Sequence, residues 1–356
     1  MKKILIVGSG ITSALTGYLL RQKLLMDLVH ITIWDKARGA GGRMTTSRSN
    51  AVPNCKVDLG LQYITTTPDL LKEHEDIYQP LFNEKLLEPL RANIIGYKSK
   101  RENVTHYVTP DGSSSIVKFF LNKSNINEIC YNTFLEKLQK PEGLDQIEAV
   151  SKEGKKGLFD IVVLTLPAPQ VNELLERNGT IPFISPSKEY KSLSNVHYTE
   201  RYAFGMFFDT HFERPFDVKY FDNDDIVRYI SFDNVKRNRP EEPYGVCVHT
   251  TNTFYGAYMD VENSAENAKN IIESILLKKM REMFPAWPLP VETKLQKWKY
   301  SQVAKPHVDE VGYMKFNSKP LTLCIGDSFV SQSNFDKCIY SAKQGVDVLL
   351  EEIKSG

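Results

Sequence analysis

The chain predicts an α/β fold interrupted by a mostly antiparallel β region, on three observations. Residues 3–7 (KILIV), 159–166 (FDIVVLTL) and 321–327 (LTLCIGD) contain short apolar runs. Runs of that kind form strands buried on both faces of a sheet. A glycine turn and a helical stretch join the first run to a second strand, and such a β-α-β unit favours a parallel sheet. From about 190 to 260 the texture changes. YAFGMFF, IVRYISF and YGVCVHTT are aromatic and β-branched and are separated by Asp, Asn and Pro turns, which reads as an antiparallel sheet.

The elements follow in order. Strand 3–7 leads into a helix over about 11–23 and then strand 29–34, VHITIW. Residues 68–90 are predicted helical, because Leu70, Leu71, His74, Ile77, Tyr78, Leu81 and Phe82 fall near helical spacing. Residues 104–108 make a strand. In DGSSSIVKFFL a capping Asp or Ser precedes an apolar stripe, placing a helix at about 113–124. Pro167 and Pro169 stop the buried strand 159–166. A helix over 264–284 ends before Pro285, and a long helix over 336–353 closes the pattern. No repeat or low-complexity linker is visible.

Composition narrows the function. Apolar residues make up 41% and charged residues 25% of the 356 positions, enough for a sizeable core. A net charge of +1 gives no bulk attraction to nucleic acid or an anionic membrane. No apolar run approaches the ~18 residues of a membrane span, and EEIKSG offers no tail anchor. Cys55, Cys130, Cys247, Cys324 and Cys338 are odd in number and show no paired spacing. That argues against a disulfide framework and for a reducing compartment, with a cytoplasmic location expected. Without CxxC or a His/Cys cluster, no metal site is expected.

The opening stretch MKKILIVGSGITSALTGYLL resembles a signal peptide in its lysines, apolar run and small residues. Its apolar core, Ile4–Val7, is short for that purpose. Gly8-Ser9-Gly10-Ile11-Thr12-Ser13 gives it a different meaning. Glycines between a strand and a helix allow a tight turn and let backbone approach a pyrophosphate at the helix N-terminus. Ser13 takes the third, packing position, where a small residue suffices. Asp35 ends the second strand, where an acid binds ribose hydroxyls in Rossmann-like dinucleotide folds. The segment is therefore expected to stay in the working protein. Secretion with the segment retained is the alternative location.

Two further motifs select the dinucleotide. Gly41-Gly42-Arg43-Met44-Thr45-Thr46 pairs glycines with a fixed positive charge suited to phosphate or flavin oxygens. Cys324-Ile325-Gly326-Asp327 ends a buried strand in an acid placed to accept bonds from a ribityl chain. A helix beginning near Asp336 would direct its positive N-terminus at a flavin. In this order the motifs favour FAD over NAD as the tightly held cofactor. Trp298 and Tyr220 could line an aromatic pocket, although core packing explains each at least equally well, and His249, alternating within a strand, reads by default as a satisfied core or cleft histidine. No Ser-His-Asp order or nucleophile elbow is visible, which disfavours hydrolysis. Lys278-Lys279 and Lys236-Arg237 read as solvated surface.

These blocks resemble the renalase branch of the FAD-dependent amine-oxidase-like flavoproteins. The matching stretches are ILIVGSGITSAL, WDKARGAGGRMTTS, VDLGLQYIT, VVLTLPAP, RYAFGMFF, ISFDNVKRN, VHTT, QKWKYSQV and GDSFVSQSNFDKCI. They cover nearly the whole chain, and GGRMTT, DLGLQYIT and QSNFD are far more specific than the glycine turn. The chain departs from the pattern at Ser13 and matches weakly over 84–105, 125–155 and 176–195.

The resemblance implies a topology like p-hydroxybenzoate hydroxylase: a Rossmann-like FAD-binding domain with an inserted, mostly antiparallel β substrate domain. We expect residues 1–70, 105–175 and 295–356 in the first and 71–104 with 176–294 in the second. The resemblance also implies non-covalent FAD and oxidation of the 2- and 6-dihydro isomers of NAD(P)H to NAD(P)+, with oxygen reduced to hydrogen peroxide. The cofactor would be held by Gly8, Gly10, Thr12, Ser13, Asp35, Lys36, Gly42, Arg43, Met44, Gln62, Tyr63, Asp327, Asn334 and Phe335. Tyr220, His249 and Trp298 would line the substrate side.

The implied partners are a dihydronicotinamide dinucleotide and O2. Hydride transfer to flavin N5 makes an aromatic cation without proton abstraction, so no catalytic acid or nucleophile is required. An amine oxidase on the same fold is one alternative, since fold does not fix substrate. Against it, Cys338 sits within a predicted helix beside Ile339 rather than in a covalent-flavin pattern. A secreted signalling ligand with a structural flavin is the other alternative.

Overall fold

The computed structural model describes residues 1–25, 27–98, 102–177, 191–258 and 265–355. The chain forms two compact units. Unit 1 comprises Met1–Gly42, Ile116–Tyr198 and Gln302–Gly356, and unit 2 comprises Arg43–Ser115 and Thr199–Ser301.

Unit 1 is built on a six-stranded sheet. At its centre β1 (Lys2–Val7) runs parallel to β2 (Val29–Trp34) and to strand Ile161–Leu164. Glu128–Cys130 extends the β2 side, and Leu321–Ile325 runs parallel to Ile161–Leu164. Only the outermost strand, Tyr313–Ser318, is antiparallel. The predicted α1 spans Ile11–Lys23 and the closing helix spans Phe335–Ser355. Ile4, Leu5 and Ile6 are fully buried, which is why their run is continuous rather than alternating.

The stretch 159–166 is two elements. Phe159 ends an antiparallel strand, Lys156–Phe159, of a three-stranded meander, and Ile161 begins the parallel strand. Asp160 separates them and accepts the Lys3 amide at 2.7 Å. The following prolines open a helix, Ala168–Arg177, rather than merely ending a strand. Proline suits a first helical turn, whose N–H groups need no intrahelical partner.

Unit 2 carries a second six-stranded sheet. Its order is Glu292–Lys305, His197–Phe207, Gly245–Thr250, Val227–Phe232, Val218–Tyr220 and Ile94–Ile95. Its central pairs are antiparallel. The inner face packs an aromatic core around Phe204, Phe208, Phe232 and Val248, against helix Ala265–Met283. Residue 264, the expected start of that helix, lies outside the described residues. The fourteen-residue strand Glu292–Lys305 had no counterpart in the sequence reading. Most of its residues are half-buried, so it shows neither a clean alternation nor an apolar run.

The helix predicted over 68–90 is broken. It comprises Pro68–Glu73 and Glu75–Asn83, and residues 84–90 leave the helical path. Lys85 adopts φ +54°. Its amide donates to Phe82 O and the Leu86 amide to Leu81 O, at 3.0 and 2.8 Å. That is a Schellman closure without its usual glycine. Glu88–Pro89 then pairs with strand Thr105–Val108.

The units divide the chain differently from the expected domains. Residues 43–70, 105–115 and 295–301 belong to unit 2, and 176–177 and 191–198 to unit 1; 99–101 and 178–190 lie outside the described residues. Residues 43–70 join unit 2 because Thr46–Arg48 pairs with Lys56–Asp58 there. The buried Asp58 amide donates to Asp233 Oδ2 at 2.5 Å.

Candidate cofactor and substrate site

In unit 1 the dinucleotide turn is shaped by its own contacts. Gly8 adopts φ +106°, and a Cβ there would lie 2.5 Å from Thr165 Oγ1. Glycine alone satisfies both constraints. Asp35 Oδ2 accepts from Ser9 N at 2.6 Å and Ser9 Oγ at 2.5 Å, and Oδ1 accepts from Ala37 N at 2.7 Å. The acid thus rigidifies the turn. Gly42 (φ +55°) packs against it, so that a Cβ would sit 3.3 Å from Gly10 Cα. Lys36 is exposed.

This turn fits a diphosphate. The N-cap of α1 is Gly10, which supplies no side-chain cap, and a Cβ at Gly10 would meet nothing within 4 Å. The Ser13 hydroxyl is buried without a hydrogen-bond partner among the described residues. Thr12 is also buried. An uncapped helix N-terminus beside open space is a ready anion cradle.

Also in unit 1, Asp327 is buried at the end of strand Leu321–Ile325. Oδ1 accepts from Tyr198 Oη at 3.1 Å and Oδ2 from Ser333 Oγ. Asn334 Oδ1 accepts the Lys337 amide at 2.9 Å and so caps the closing helix, with Phe335 buried behind it. That cap occupies one of the donors expected to face a flavin.

Unit 2 holds the other candidates. Arg43 Nη1 donates to Ser301 O at 3.3 Å, and Arg43 O accepts the Leu61 amide at 2.9 Å. The GGRM and DLGLQY segments are thereby stitched together; Met44 is buried beside Arg43. Leu59 O is a shared acceptor, taking Trp298 Nε1 at 2.8 Å and lying 3.2 Å from His249 Nε2. Gln62 Nε2 donates to Asp58 O at 2.5 Å and Gly60 O at 3.1 Å. Both amide hydrogens are then committed, although His249 Nε2 lies 3.3 Å away. Leu59 O can only accept, so the His249 proton sits on Nε2 and Nδ1 is the ring's acceptor.

Tyr63 and Tyr220 join through their hydroxyls at 2.5 Å. Rings continue the wall: Tyr220 lies 4.9 Å from Tyr229, and Tyr229 5.5 Å from His249. Burial pushes the Tyr63 and Tyr220 hydroxyls up; burial first, and then the Arg201 and Lys236 cations, hold His249 down to about 3. These side chains are uncharged at neutral pH.

The Lys236-Arg237 cluster is not solvated surface. Lys236 is fully buried against Asp233 at 2.7 Å, and Arg237 is 1% exposed and paired with Glu242 at 3.3 Å. A short helix, Asp233–Lys236, brings the acid and the lysine together. Lys278 is exposed, and Lys279 is half-buried against Asp224. Sequence reasoning also missed Arg201, Tyr229 and Tyr198. Tyr229 had a signal, since it alternates with Ser231 in IVRYISF.

A Ser192–His307 contact of 2.6 Å in unit 1 has Asp309 Oδ2 3.7 Å from Nδ1. The Asp309 amide points at Nδ1 at 3.4 Å. The ring then donates to Ser192 through Nε2, opposite to the polarity a nucleophile's base needs. No group of three or more His, Cys, Asp or Glu among the described residues is placed to hold a metal, and no helix among them is long and apolar enough to cross a membrane.

Known proteins fit this geometry. The NAD(P)-binding Rossmann-like domain family matches residues 6–81. Renalase of Mus musculus is 34% identical over 353 residues, covering 98% of this chain and 99% of the mouse protein. A solved structure from Exiguobacterium, described as a protoporphyrinogen oxidase, superposes with TM-score 0.72 at 12% identity, covering 98% of this chain and 99% of its own. A structural-genomics protein from Pyrococcus furiosus superposes with TM-score 0.58 at 13% identity, covering 99% and 98%. These two likenesses are of fold. The cofactor is FAD, and the chain belongs to the renalase family of flavin-dependent oxidoreductases.

Proposed function

We propose that the protein oxidises the 2- and 6-dihydro isomers of NAD(P)H to NAD(P)+. When bound, FAD would supply the hydride acceptor and the route of two electrons to O2, with hydrogen peroxide as the second product. The balance is one dihydronicotinamide, one O2 and one proton to one NAD(P)+ and one peroxide. The observation that carries the reading is the uncharged wall of Tyr63, Tyr220, Tyr229 and His249 in unit 2. A substrate that becomes an aromatic cation on losing hydride needs orientation and water exclusion rather than a base. The chain's residues are suited to that: the rings offer flat apolar faces, and His249 Nδ1 offers one acceptor.

An amine substrate would arrive as an ammonium ion and would have to lose a proton. His249, held near 3, is too weak a base to take that proton. We further propose that unit 1 binds the ADP part of the cofactor and that Tyr220, His249 and Trp298 serve the substrate. The five cysteine thiols, none joined in a disulfide, support a reducing, cytoplasmic setting.

The test mixes anaerobic FAD-loaded protein in turn with 2-dihydroNAD, 6-dihydroNAD, ordinary NADH and an amine, and follows visible flavin absorbance. Rapid bleaching by the isomers is the expected result. Bleaching by the amine and not by the isomers sinks the proposal.

A further inference from the structure

A buried ion pair stands behind Gln62. Lys236 and Asp233 are both 0% exposed, with Nζ 2.7 Å from Oδ1. Holding both charges out of water carries a large desolvation cost, which their attraction and further hydrogen bonds must offset. Asp233 is well supplied with donors: Ser231 Oγ at 2.8 Å reaches Oδ1, and the Asp58 amide at 2.5 Å reaches Oδ2. Among the described residues Lys236 has one acceptor beyond Asp233, and it is Gln62 Oε1 at 2.7 Å.

That contact sets the direction of the Gln62 amide. With Oε1 on the ammonium, Nε2 must face the opposite way, onto Asp58 O and Gly60 O. The positive end of the amide dipole then lies 3.3 Å from His249 Nε2. An imidazolium there would set its net charge against the positive end of that dipole, with the lysine one residue behind it.

Other neighbours do not reverse this. Arg201, two residues from the Ala203 that pairs with His249, is a second cation acting on the ring. Tyr229, on the opposite neighbouring strand, is neutral. Leu59 O favours the charged ring, but burial and the two cations outweigh that one bond. The cluster's carboxylates do not touch the imidazole: Asp58 is bonded to Thr46 and Ser113, and Asp233 to Lys236, Ser231 and backbone.

We propose that Lys236, acting through Gln62, is a positioning residue that keeps His249 uncharged. Its worth to turnover is that no imidazolium is added to the site as the substrate becomes a cation. That last clause rests on the dihydronicotinamide reading; the charge state of His249 does not.

The experiment uses FAD-loaded protein labelled with 15N-histidine. Long-range 1H–15N spectra report each ring's tautomer and charge. The wild type should show His249 neutral, with the proton on Nε2, and unmoved between about pH 5 and 8, where a free histidine titrates. Lys236→Met alone strands Asp233, so the pair is removed together as Asp233→Asn/Lys236→Met. Gln62→Met leaves the ion pair and removes only the amide. In both variants His249 should take up its proton at a higher pH than in the wild type, with burial and Arg201 still holding it below a free histidine. Isomer oxidation should then fall about tenfold as the ring charges, through kcat rather than KM, while the wild-type profile stays flat across the same range.

If burial and Arg201 alone keep the ring neutral, His249 will titrate at the wild-type pH in both folded variants, and the proposal is overturned. If the ring titrates but the isomers never bleach the flavin in any form, the substrate reading falls and the role of Lys236 stands.

Discussion

Gly60 approaches Arg43 so closely that a Cβ on Gly60 would lie 1.9 Å from the Arg43 carbonyl oxygen and 2.8 Å from its carbonyl carbon. Both contacts are with backbone, so no side chain can move aside. Gly60→Ala should therefore shift the GGRM segment and cost about 1–3 kcal/mol or more, in the manner of an overpacked core. Thermal melting of the FAD-loaded variant checks it; an unchanged Tm would show that this junction yields more easily than its geometry indicates.

Arg43→Ala should leave that junction intact, since its backbone makes the bond to Leu61. What it removes is the fixed positive charge of the guanidinium. FAD retention through gel filtration should drop by roughly tenfold in affinity, about 1.4 kcal/mol. Flavin content equal to wild type refutes a cofactor role.

Asp35→Ala acts on the turn as well as on any ribose. It leaves the amides of Ser9 and Ala37 without their acceptor. We expect a loss of about 1–3 kcal/mol in stability and a larger loss in FAD affinity. Titration of the apoprotein with FAD, followed by flavin fluorescence, separates the two.

Acid stability should carry the signature of His249. The folded ring stays neutral down to about 3, whereas an unfolded histidine takes up its proton near 6.5. As pH falls between those values only the unfolded chain binds the proton. Stability is thus complete above ~6.5 and is lost progressively toward ~3. Denaturant midpoints at about pH 7 and pH 5 should differ less in His249→Gln than in wild type. Equal differences would place the acid sensitivity elsewhere.

What the sequence revealed was local. Gly8, Gly10 and Asp35 were legible because one turn uses all of them within a single β-α-β unit, where residue type and spacing carry the chemistry. The pairing of Trp298 with His249 was not, because they meet at Leu59 O, a backbone atom that no side-chain pattern encodes. Lys236 was misread for a related reason. A buried lysine and a surface lysine have the same letter, and only the position of Asp233 at i−3, with Gln62 far away in sequence, distinguishes them. Residues 84–90 continued an apolar period that Lys85 broke by adopting a conformation usually left to glycine. The strand Glu292–Lys305 escaped notice because half-buried positions blur the period of two.

The central strands of unit 1 come from the start, the middle and the end of the chain: β1, Ile161–Leu164 and Leu321–Ile325 lie side by side. During synthesis the first two can pair while the third is still unmade. Until the last part of the chain emerges, Ile161–Leu164 presents an open, apolar edge of the kind that recruits other strands. The closing helix Phe335–Ser355, which packs against α1 and the last strand, is also missing at that stage. Formation of this unit is therefore slow and non-local. Ribosome stalling or truncation after the second sheet's last strand would release a chain with its principal sheet incomplete and prone to aggregate.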